Sequence, residues 1–412
     1  MKLRVDGERL WGSLMEMGQV GRDGKGVNRL ALNDANKEGR DLFARWLRDE
    51  GLEVRVDQIG NIFGVREGTD RDKYPVVVGS HLDTVREAGV FDGALGVLSG
   101  LEVVRLLNQH DIDTDGAVAV AAFTNEEGAR FQPDMMGSMV YTGQLDVEKA
   151  WAASDDDGVT VKDELSRIGY LGSDRLEAGR YLELHVEQGP VLHTEGLDIG
   201  VVEGVQGMAW WDGEYTGEAN HAGTTPLGLR RDALLAAAEL CLRLRETAER
   251  LGEGSVATMG RLHPRPDIRN VVPGGAFFTV DFRQYERELY EEGQKIVAKL
   301  VEEVAERHGV DVSLTQTVDA KPVRFDPDMV GLVESKTREL GLSYKVMHSG
   351  AGHDAQFMSH VCPTSMIFVP SIGGRSHCPQ EKTLKADCVN GADVLRGCVL
   401  ELSGAGRVQA TV

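Results

Sequence analysis

Hydrophobic and polar positions in the first third of the chain follow two different periods. Residues 37–51 place apolar side chains three and four positions apart, which predicts an amphipathic helix. Residues 52–68 alternate on either side of a turn and predict a β-hairpin. The apolar runs of 75–85 and 117–128 each end in polar residues, and helix 93–110 separates them. This order is typical of an α/β layer structure with functional groups at its strand ends.

The pattern changes between about Gln206 and Asp319. Two long amphipathic stretches, 232–252 and 288–309, predict helices, and shorter alternating stretches around them predict strands. Two helices on an antiparallel sheet form a small α+β sandwich.

The α/β pattern of elements resumes after Lys321, with a helix near Asp328–Leu340 and an apolar strand that begins at Thr364. We therefore predict a discontinuous α/β domain, residues 1–205 and 320–412. A two-layer, ferredoxin-like domain, residues 206–319, is inserted into it.

Composition agrees with a globular enzyme of two domains. The chain has 412 residues, of which 41% are hydrophobic, and its mean hydropathy is -0.25. No window reaches the ~18–20 apolar residues of a membrane helix. The first residues, MKLRVDGERLWGSL, lack the apolar core of a secretory signal. We expect a cytoplasmic protein that does not bind membranes.

Charge and cysteine content exclude further classes. A net charge of -21 argues against nucleic-acid binding, which needs a basic surface. The five cysteines are odd in number and show no CxxC spacing, so neither a disulfide framework nor a thiolate zinc site is expected. Cys378 follows His377, but no cysteine-hydrolase signature surrounds it, and we interpret it as an ordinary thiol.

Five segments carry imidazole or carboxylate groups at or just after an apolar run. Metal-dependent hydrolysis needs such groups to converge from several strand ends, with one carboxylate to move protons. The segments are GSHLDTV (79–85), GVFDGALG (89–96), FTNEEGARF (123–131), LELHVEQGP (182–190) and GGRSHCPQE (373–381). Each segment alone suits an ordinary structural role, but their joint occurrence predicts a metal-dependent hydrolase.

Individual positions suggest a division of roles. His81 and Asp83 project to the same side of an extended backbone, so His81 is a candidate ligand and Asp83 a partner that accepts its far ring N–H. Asp92 lies in a glycine-rich loop that can approach an ion closely. Glu126 and Glu127 are adjacent and diverge, so one can bind metal while the other faces a metal-bound water.

At this point the chain resembles a known family. The ordered motifs that carry the resemblance are GSHLDTV, FDGALGV, NEEGARF, HVEQGP, HAGTTP, HSGAGHDA and SHCPQE. They are similar to those of the amidase, hydantoinase/carbamoylase family, which belongs to the aminoacylase/carboxypeptidase clan of di-metal hydrolases. The resemblance implies a di-metal aminopeptidase-like catalytic domain whose inserted domain acts as a lid and forms a homodimer.

The resemblance also implies roles for particular residues. His81 and His185 correspond to the ligands of one metal, Glu127 and His377 to those of the other, and Asp92 to the bridging carboxylate. Two divalent ions are implied, and mixed imidazole and carboxylate ligands admit Zn, Mn, Co or Ni.

Further correspondences concern catalysis and substrate binding. Glu126 matches the general base, and His221 matches a histidine that contacts the substrate carbonyl oxygen, often across a dimer interface. Gln188, His221, Asn270 and Arg283 match substrate-binding positions. An arginine presents a planar fork that suits a substrate carboxylate.

The implied reaction is hydrolysis of an N-carbamoyl-L-amino acid. Allantoate or another ureido acid, such as N-carbamoyl-β-alanine, is the alternative. The family's allantoate-type members carry a polar GQRR-like stretch where this chain reads GMAWW at 207–211, which favours carbamoyl amino acids. A packing role for Trp210 and Trp211 stays open. Peptidase or N-acyl deacylase activity is disfavoured by His185, and a non-catalytic binding module by the complete set of ligands and Glu126.

Overall fold

The computed structural model describes residues 3–405. The chain forms two compact units. Unit 1 consists of the segments up to Glu203 and from Phe325 onward, and unit 2 is Gly204–Arg324.

Strands occur in both units. In chain order they are β1 (Glu53–Val56), β2 (Ile62–Arg66), β3 (Val76–His81), β4 (Val118–Phe123), β5 (Arg180–Val186), β6 (Ile199–Val205), β7 (Gly207–Thr216), β8 (Asn220–His221), β9 (Val256–Thr258), β10 (Leu262–Arg265), β11 (Val271–Val272), β12 (Gly275–Gln284), β13 (Asp311–Ala320), β14 (Val323–Arg324), β15 (Tyr344–Ser349) and β16 (Thr364–Val369).

Helices connect most of the strands in unit 1, and two long ones belong to unit 2. They are α1 (Gly7–Met17), α2 (Asp34–Asp49), α3 (Ala94–Gln109), α4 (Met136–Tyr141), α5 (Val147–Ala152), α6 (Val161–Ile168), α7 (Val191–Glu195), α8 (Ala233–Leu251), α9 (Arg287–His308), α10 (Pro327–Leu340), α11 (Asp354–Met358) and α12 (Lys385–Leu402). Short 3-10 turns lie at Leu227–Leu229 and Ile372–Gly374.

The sheet of unit 1 has the order β1-β2-β4-β3-β5-β16-β6, and β15 also pairs with β6. Its centre is parallel: β3 pairs in parallel with β4 and β5, and β5 pairs in parallel with β16. Every position of β3, β4 and β16 is buried, as expected for parallel strands covered on both faces. The carboxyl ends of the parallel strands β3, β4, β5 and β16 therefore meet at one edge of the sheet.

Local sequence signals explain these elements. The predicted hairpin is formed by β1 and β2, in which Val56 pairs with Ile62. The side chain of Asn33 caps α2 by accepting from the Asn36 amide, which satisfies one free N–H of the first turn. The predicted strands of 75–85 and 117–128 are β3 and β4, and the helix between them is α3. The predicted α/β fold class is confirmed.

Unit 2 is a two-layer α+β structure. Its sheet has the antiparallel order β10-β12-β7-β13, and β9 also pairs with β12. Alternate residues of β7 and β12 are buried in a core that they share with α8 and α9. Unit 2 extends slightly beyond the expected limits of 206 and 319, because β13 continues to Ala320 and β14 then pairs with the last two residues of β6.

Among residues 3–405, none of the helices is both long and apolar enough to cross a membrane.

Candidate metal centre and associated residues

Most of the predicted ligands of unit 1 lie at the edge of the sheet where the parallel strands have their carboxyl ends. His81 is the last residue of β3, and His185 lies one residue before the end of β5. Glu126 and Glu127 follow β4, and His377 follows β16. Because parallel strands end at a common edge, residues far apart in sequence become neighbours there.

One group of possible ligands consists of His81, Asp92 and His185, whose ligand atoms lie within 4.8 Å of one another. Oδ1 of Asp92 is 3.4 Å from Nε2 of His81 and 3.2 Å from Nε2 of His185. All three side chains are buried. The ring nitrogens and the carboxylate oxygen thus converge on one point.

A second group shares Asp92 and adds Glu127 and His377, again with ligand atoms within 4.8 Å. Here the other oxygen, Oδ2 of Asp92, is 3.5 Å from Nε2 of His377, and Oε2 of Glu127 is 3.3 Å from the same nitrogen. Each oxygen of Asp92 therefore faces a different group, which is the arrangement of a carboxylate between two ions.

Unsatisfied buried atoms test whether ions fit. Among the described residues, Nε2 of His81 and Oε1 of Glu127 are buried and have no hydrogen-bond partner. A buried polar atom without a partner costs free energy, and a coordinated cation would remove that cost at both atoms. Imidazole and carboxylate ligands together suit Zn, Mn, Co or Ni. The two groups therefore fit a pair of divalent ions.

Backbone contacts orient the histidine rings. Nδ1 of His81 lies 3.0 Å from the main-chain carbonyl of Asp83, and Nδ1 of His185 lies 2.9 Å from that of Val186. When these nitrogens carry the protons, each Nε2 atom keeps a lone pair that suits a metal ion, and that of His185 accepts from the Gly93 amide at 3.2 Å. The far ring nitrogen of His81 thus meets the main-chain oxygen of Asp83, not the carboxylate that the sequence pattern suggests.

The carboxylate of Asp83 has a different task. It accepts hydrogen bonds from the amides of Glu126 and Glu127, at 3.3 and 3.2 Å. It therefore fixes the backbone that carries both glutamates.

Gly93 follows Asp92 and lies directly against the ring of His81. It has a φ of +65°, and a Cβ there would lie 2.4 Å from the ring of His81. Only glycine lets the Asp92 loop cross that ring.

Glu126 lies against the first group. Its Oε2 is 3.4 Å from Nε2 of His81, and its side chain is buried. Burial raises the pKa of its carboxyl well above the usual value, against the opposing charge of His81. Burial also raises the pKa of Glu127, to about 8. A carboxyl group whose pKa is raised by burial can hold a proton that an exposed glutamate would release, which suits Glu126 to general acid–base chemistry.

Gln188 belongs to the same site. Its Nε2 donates to Oδ2 of Asp92 at 2.9 Å and lies 3.2 Å from Nε2 of His377. Its backbone has a φ of +57°, in the left-handed region, and its amide donates to the hydroxyl of Ser371. The structure thus places this predicted substrate residue beside Asp92.

Sequence reasoning assigned no role to several residues around these groups. Oδ2 of Asp92 accepts from the hydroxyl of Ser376 at 2.8 Å, and the carboxylate of Glu381 accepts from the Asp92 amide at 3.2 Å. His353 stacks edge-on against His185 with ring centroids 4.6 Å apart, and Glu183 joins the pair in a third buried group. The available signals were the quoted motifs HSGAGHDA and SHCPQE and the alternation of Glu183 with His185.

The remaining predicted residues lie in unit 2. His221 ends β8 and pairs with Val271, which places Asn270 next to it; both are exposed. Nδ1 of His221 accepts from the amides of Gly223 and Thr224, so the proton of the neutral ring is on Nε2. His221 therefore offers an outward N–H donor.

Arg283 lies near the end of β12. Asp281 holds its guanidinium: Nε donates to Oδ1 at 3.1 Å and to Oδ2 at 3.3 Å, and Nη2 donates to Oδ2 at 2.9 Å. A guanidinium fixed in this way is preorganised to bind a second carboxylate.

Comparison with known proteins adds to this geometry. Residues 77–401 match the family Peptidase family M20/M25/M40. An N-carbamoyl-L-amino-acid amidohydrolase of Rhizobium meliloti is 42% identical, over 97% of this chain and 97% of the relative. Allantoate amidohydrolase of Escherichia coli is 33% identical, over 92% of this chain and 93% of the relative.

Solved structures agree. A crystal structure of an amidase of the hydantoinase/carbamoylase family from Burkholderia multivorans superposes with a TM-score of 0.96, at 42% identity, and covers 98% of this chain and 99% of the other. Similarity at this level over the whole length, together with the family match, confirms the resemblance in the motifs. The chain belongs to the peptidase family M20/M25/M40 and, within it, to the hydantoinase/carbamoylase amidases.

Proposed function

We propose that this protein hydrolyses the ureido C–N bond of an N-carbamoyl-L-amino acid and releases the amino acid, carbon dioxide and ammonia. The observation that carries the proposal is Asp92, which presents one oxygen to each of two ligand groups, with Glu126 beside the first. The similarity to an enzyme named for this reaction supports the substrate class.

The proposed cofactors are two divalent ions. His81 and His185 would hold one, Glu127 and His377 the other, and Asp92 both. Such a pair of ions supplies a water nucleophile of lowered pKa and polarises the carbonyl under attack. Zn, Mn, Co and Ni all suit this ligand set, and metal supply in the cell often decides which ion such a site binds.

Glu126 is the proposed general base and acid. It would take a proton from the attacking water as the new C–O bond forms at the ureido carbon. It would then return that proton to the amino-acid nitrogen as the C–N bond breaks. The carbamate released in this step decomposes to carbon dioxide and ammonia, so one water is consumed in all.

Unit 2 supplies the proposed substrate contacts. The Nε2–H of His221 would donate to the oxyanion, and such donors act most strongly where charge develops. Asn270 and Arg283 would bind the substrate carboxylate, and Gln188 of unit 1 would contact the ureido group.

We further propose a homodimer formed through unit 2. A mass of one chain, 44.9 kDa, in light scattering would contradict the dimer.

Cellular location is a further proposal. All five cysteines are free thiols, which suits the reducing cytoplasm. Cell fractionation tests this, and recovery of the native chain outside the cytoplasmic fraction would contradict it.

Allantoate or N-carbamoyl-β-alanine is the second candidate substrate, supported by the similarity to allantoate amidohydrolase. Ammonia release separates the candidates. The panel contains N-carbamoyl-L-amino acids, N-carbamoyl-β-alanine, allantoate and an acetylated amino acid, with Mn or Zn restored to the enzyme. We expect the N-carbamoyl-L-amino acids to give the highest kcat/KM.

Two results would overturn the proposal. A strong preference for the acetylated compound would indicate a deacylase. Fewer than about one bound ion per chain after careful purification would favour a non-catalytic binding module, because two-metal hydrolysis needs both ions.

A further inference from the structure

The open face of the sheet in unit 2 carries an aromatic side chain that the proposed chemistry does not use. Trp210 and Trp211 are neighbours on β7 and project to opposite faces. Trp211 is 4% exposed and belongs to the core with α8 and α9, whereas Trp210 is 40% exposed on the other face. A partly exposed indole on an open sheet face can form one apolar wall of a ligand site.

Strand pairing places Trp210 beside the proposed carboxylate site. Trp210 pairs with Asp281, and Met208 pairs with Arg283, so all four side chains share the open face. Diagonal neighbours of this kind lie about 7–8 Å apart. Because Asp281 also holds the guanidinium of Arg283, the cation and the indole have a fixed separation. That separation is comparable to the span of an amino acid from its carboxylate to the end of an aromatic side chain.

A cleft extends from Trp210 in the direction away from Arg283. It has a volume of about 420 Å³ and is lined by Trp210, Asp212, Thr258, Arg261, Thr279 and Thr317, among others. This volume falls within the ~300–1,000 Å³ typical of small-molecule sites. The indole gives the cleft one large apolar wall, and an aromatic ring can pack against it edge-on or offset.

We infer that Trp210 is a specificity-determining residue that binds the side chain of the substrate amino acid and selects large apolar or aromatic N-carbamoyl-L-amino acids. This inference rests on the proposed function, since it assumes that Arg283 binds the substrate carboxylate. It adds the chemical class of the side chain, which the ligand set of unit 1 does not determine.

The test compares kcat/KM for N-carbamoyl-L-phenylalanine and N-carbamoylglycine. The wild-type enzyme should prefer the phenylalanine derivative. Trp210→Ala should reduce the ratio of the two kcat/KM values by about 10-fold or more, mainly through the KM of the phenylalanine derivative. Trp210→Phe should keep most of the preference, because it retains an aromatic wall.

Trp151→Ala is the matched control. Trp151 lies on α5 of unit 1, partly exposed, and its indole N–H donates to the carbonyl of Gln58. Its loss should leave the ratio unchanged. An unchanged ratio in Trp210→Ala, or a wild-type preference for N-carbamoylglycine, would overturn the inference while the proposed function stands. If the wild type released ammonia from neither compound nor from any other carbamoyl amino acid, the proposed function itself would be wrong.

Discussion

The two units present their functional groups in opposite ways. In unit 1 most of the groups lie at the ends of buried parallel strands: His81 and His185 are each 1% exposed, although the side chain of His377 is 48% exposed. In unit 2, His221 and Asn270 are exposed and Arg283 is half-buried on an open sheet face. Burial and fixed backbone suit ions and proton transfer, which need exact distances and little water. Exposure suits groups that receive and release a substrate.

The contrast predicts that substitutions in unit 1 act on turnover, and the largest effect is expected at Glu126. Glu126→Gln keeps the size of the side chain but cannot accept the proton of the attacking water. We expect kcat to fall about 1,000-fold with two metals still bound. Steady-state kinetics and elemental analysis of the same preparation measure both quantities.

The adjacent residue is the control for that experiment. Glu127→Gln should lower the metal content, because Glu127 belongs to the second ligand group. If Glu126→Gln retained activity, or if both variants lost metal equally, the division of roles between the two glutamates would be wrong.

A substitution in unit 2 should instead act on substrate binding. Arg283→Gln removes a cation that is proposed to bind the carboxylate, and a charge-assisted contact is worth about 1.5–3 kcal/mol. We therefore expect KM to rise by roughly 10- to 100-fold with a smaller change in kcat. Initial rates over a range of substrate concentrations distinguish the two parameters.

Arg265→Gln is a suitable comparison, since Arg265 is an exposed arginine of unit 2 whose ion pair with Glu214 measures 3.3 Å. It should leave KM unchanged. If Arg283→Gln instead lowered kcat and left KM unchanged, the proposal that unit 2 acts on substrate binding and unit 1 on turnover would be wrong.

The smallest effect concerns a buried carboxylate of unit 1 outside the site. Burial raises the pKa of Asp57 to about 6, although its carboxylate accepts hydrogen bonds from Asn61 and Ile59. A raised pKa in the folded state means that ionisation destabilises the fold. This cost is absent well below the unfolded pKa of about 3.8 and complete above about 6. Between pH 4 and 7 the wild type should therefore lose about 2 kcal/mol relative to Asp57→Asn.

Urea unfolding of both proteins at several pH values in that interval measures the difference. Turnover should be unaffected, because Asp57 contacts none of the proposed ligands. A parallel pH dependence in the two proteins would show that ionising Asp57 costs nothing.

The sequence predicted the fold well where periodicity and burial agree. The apolar runs of β3 and β4 end in His81 and in the segment before Glu126, so the strand pattern itself indicated the reactive edge. The division into two architectures followed from the switch to long amphipathic helices, which are α8 and α9 in the structure.

Other features depend on contacts that no local pattern encodes. The carboxylate of Asp83 holds two amides more than 40 residues away, and Glu381 reaches the amide of Asp92 across 289 positions. The position of Trp210 beside Asp281 on the open face of the sheet depends on the register of β7 against β12. Such pairings arise from tertiary packing, so the motifs SHCPQE and GMAWW located the residues without revealing their partners.

The position of β16 in the sheet has a consequence for how the protein is made. This strand lies between β5 and β6 although it is the last strand within residues 3–405, and His377 follows it. During synthesis the ribosome must therefore deliver all of unit 2 before the central sheet can close. Pairing over such sequence distances is slow. Until β16 has been made, the edge of β5 that pairs with it has no partner strand. His377 belongs to the second group of possible ligands, so that group can be complete only after this strand has been inserted. Metal loading would thus report completed folding, and a chain truncated before residue 377 would lack the second site.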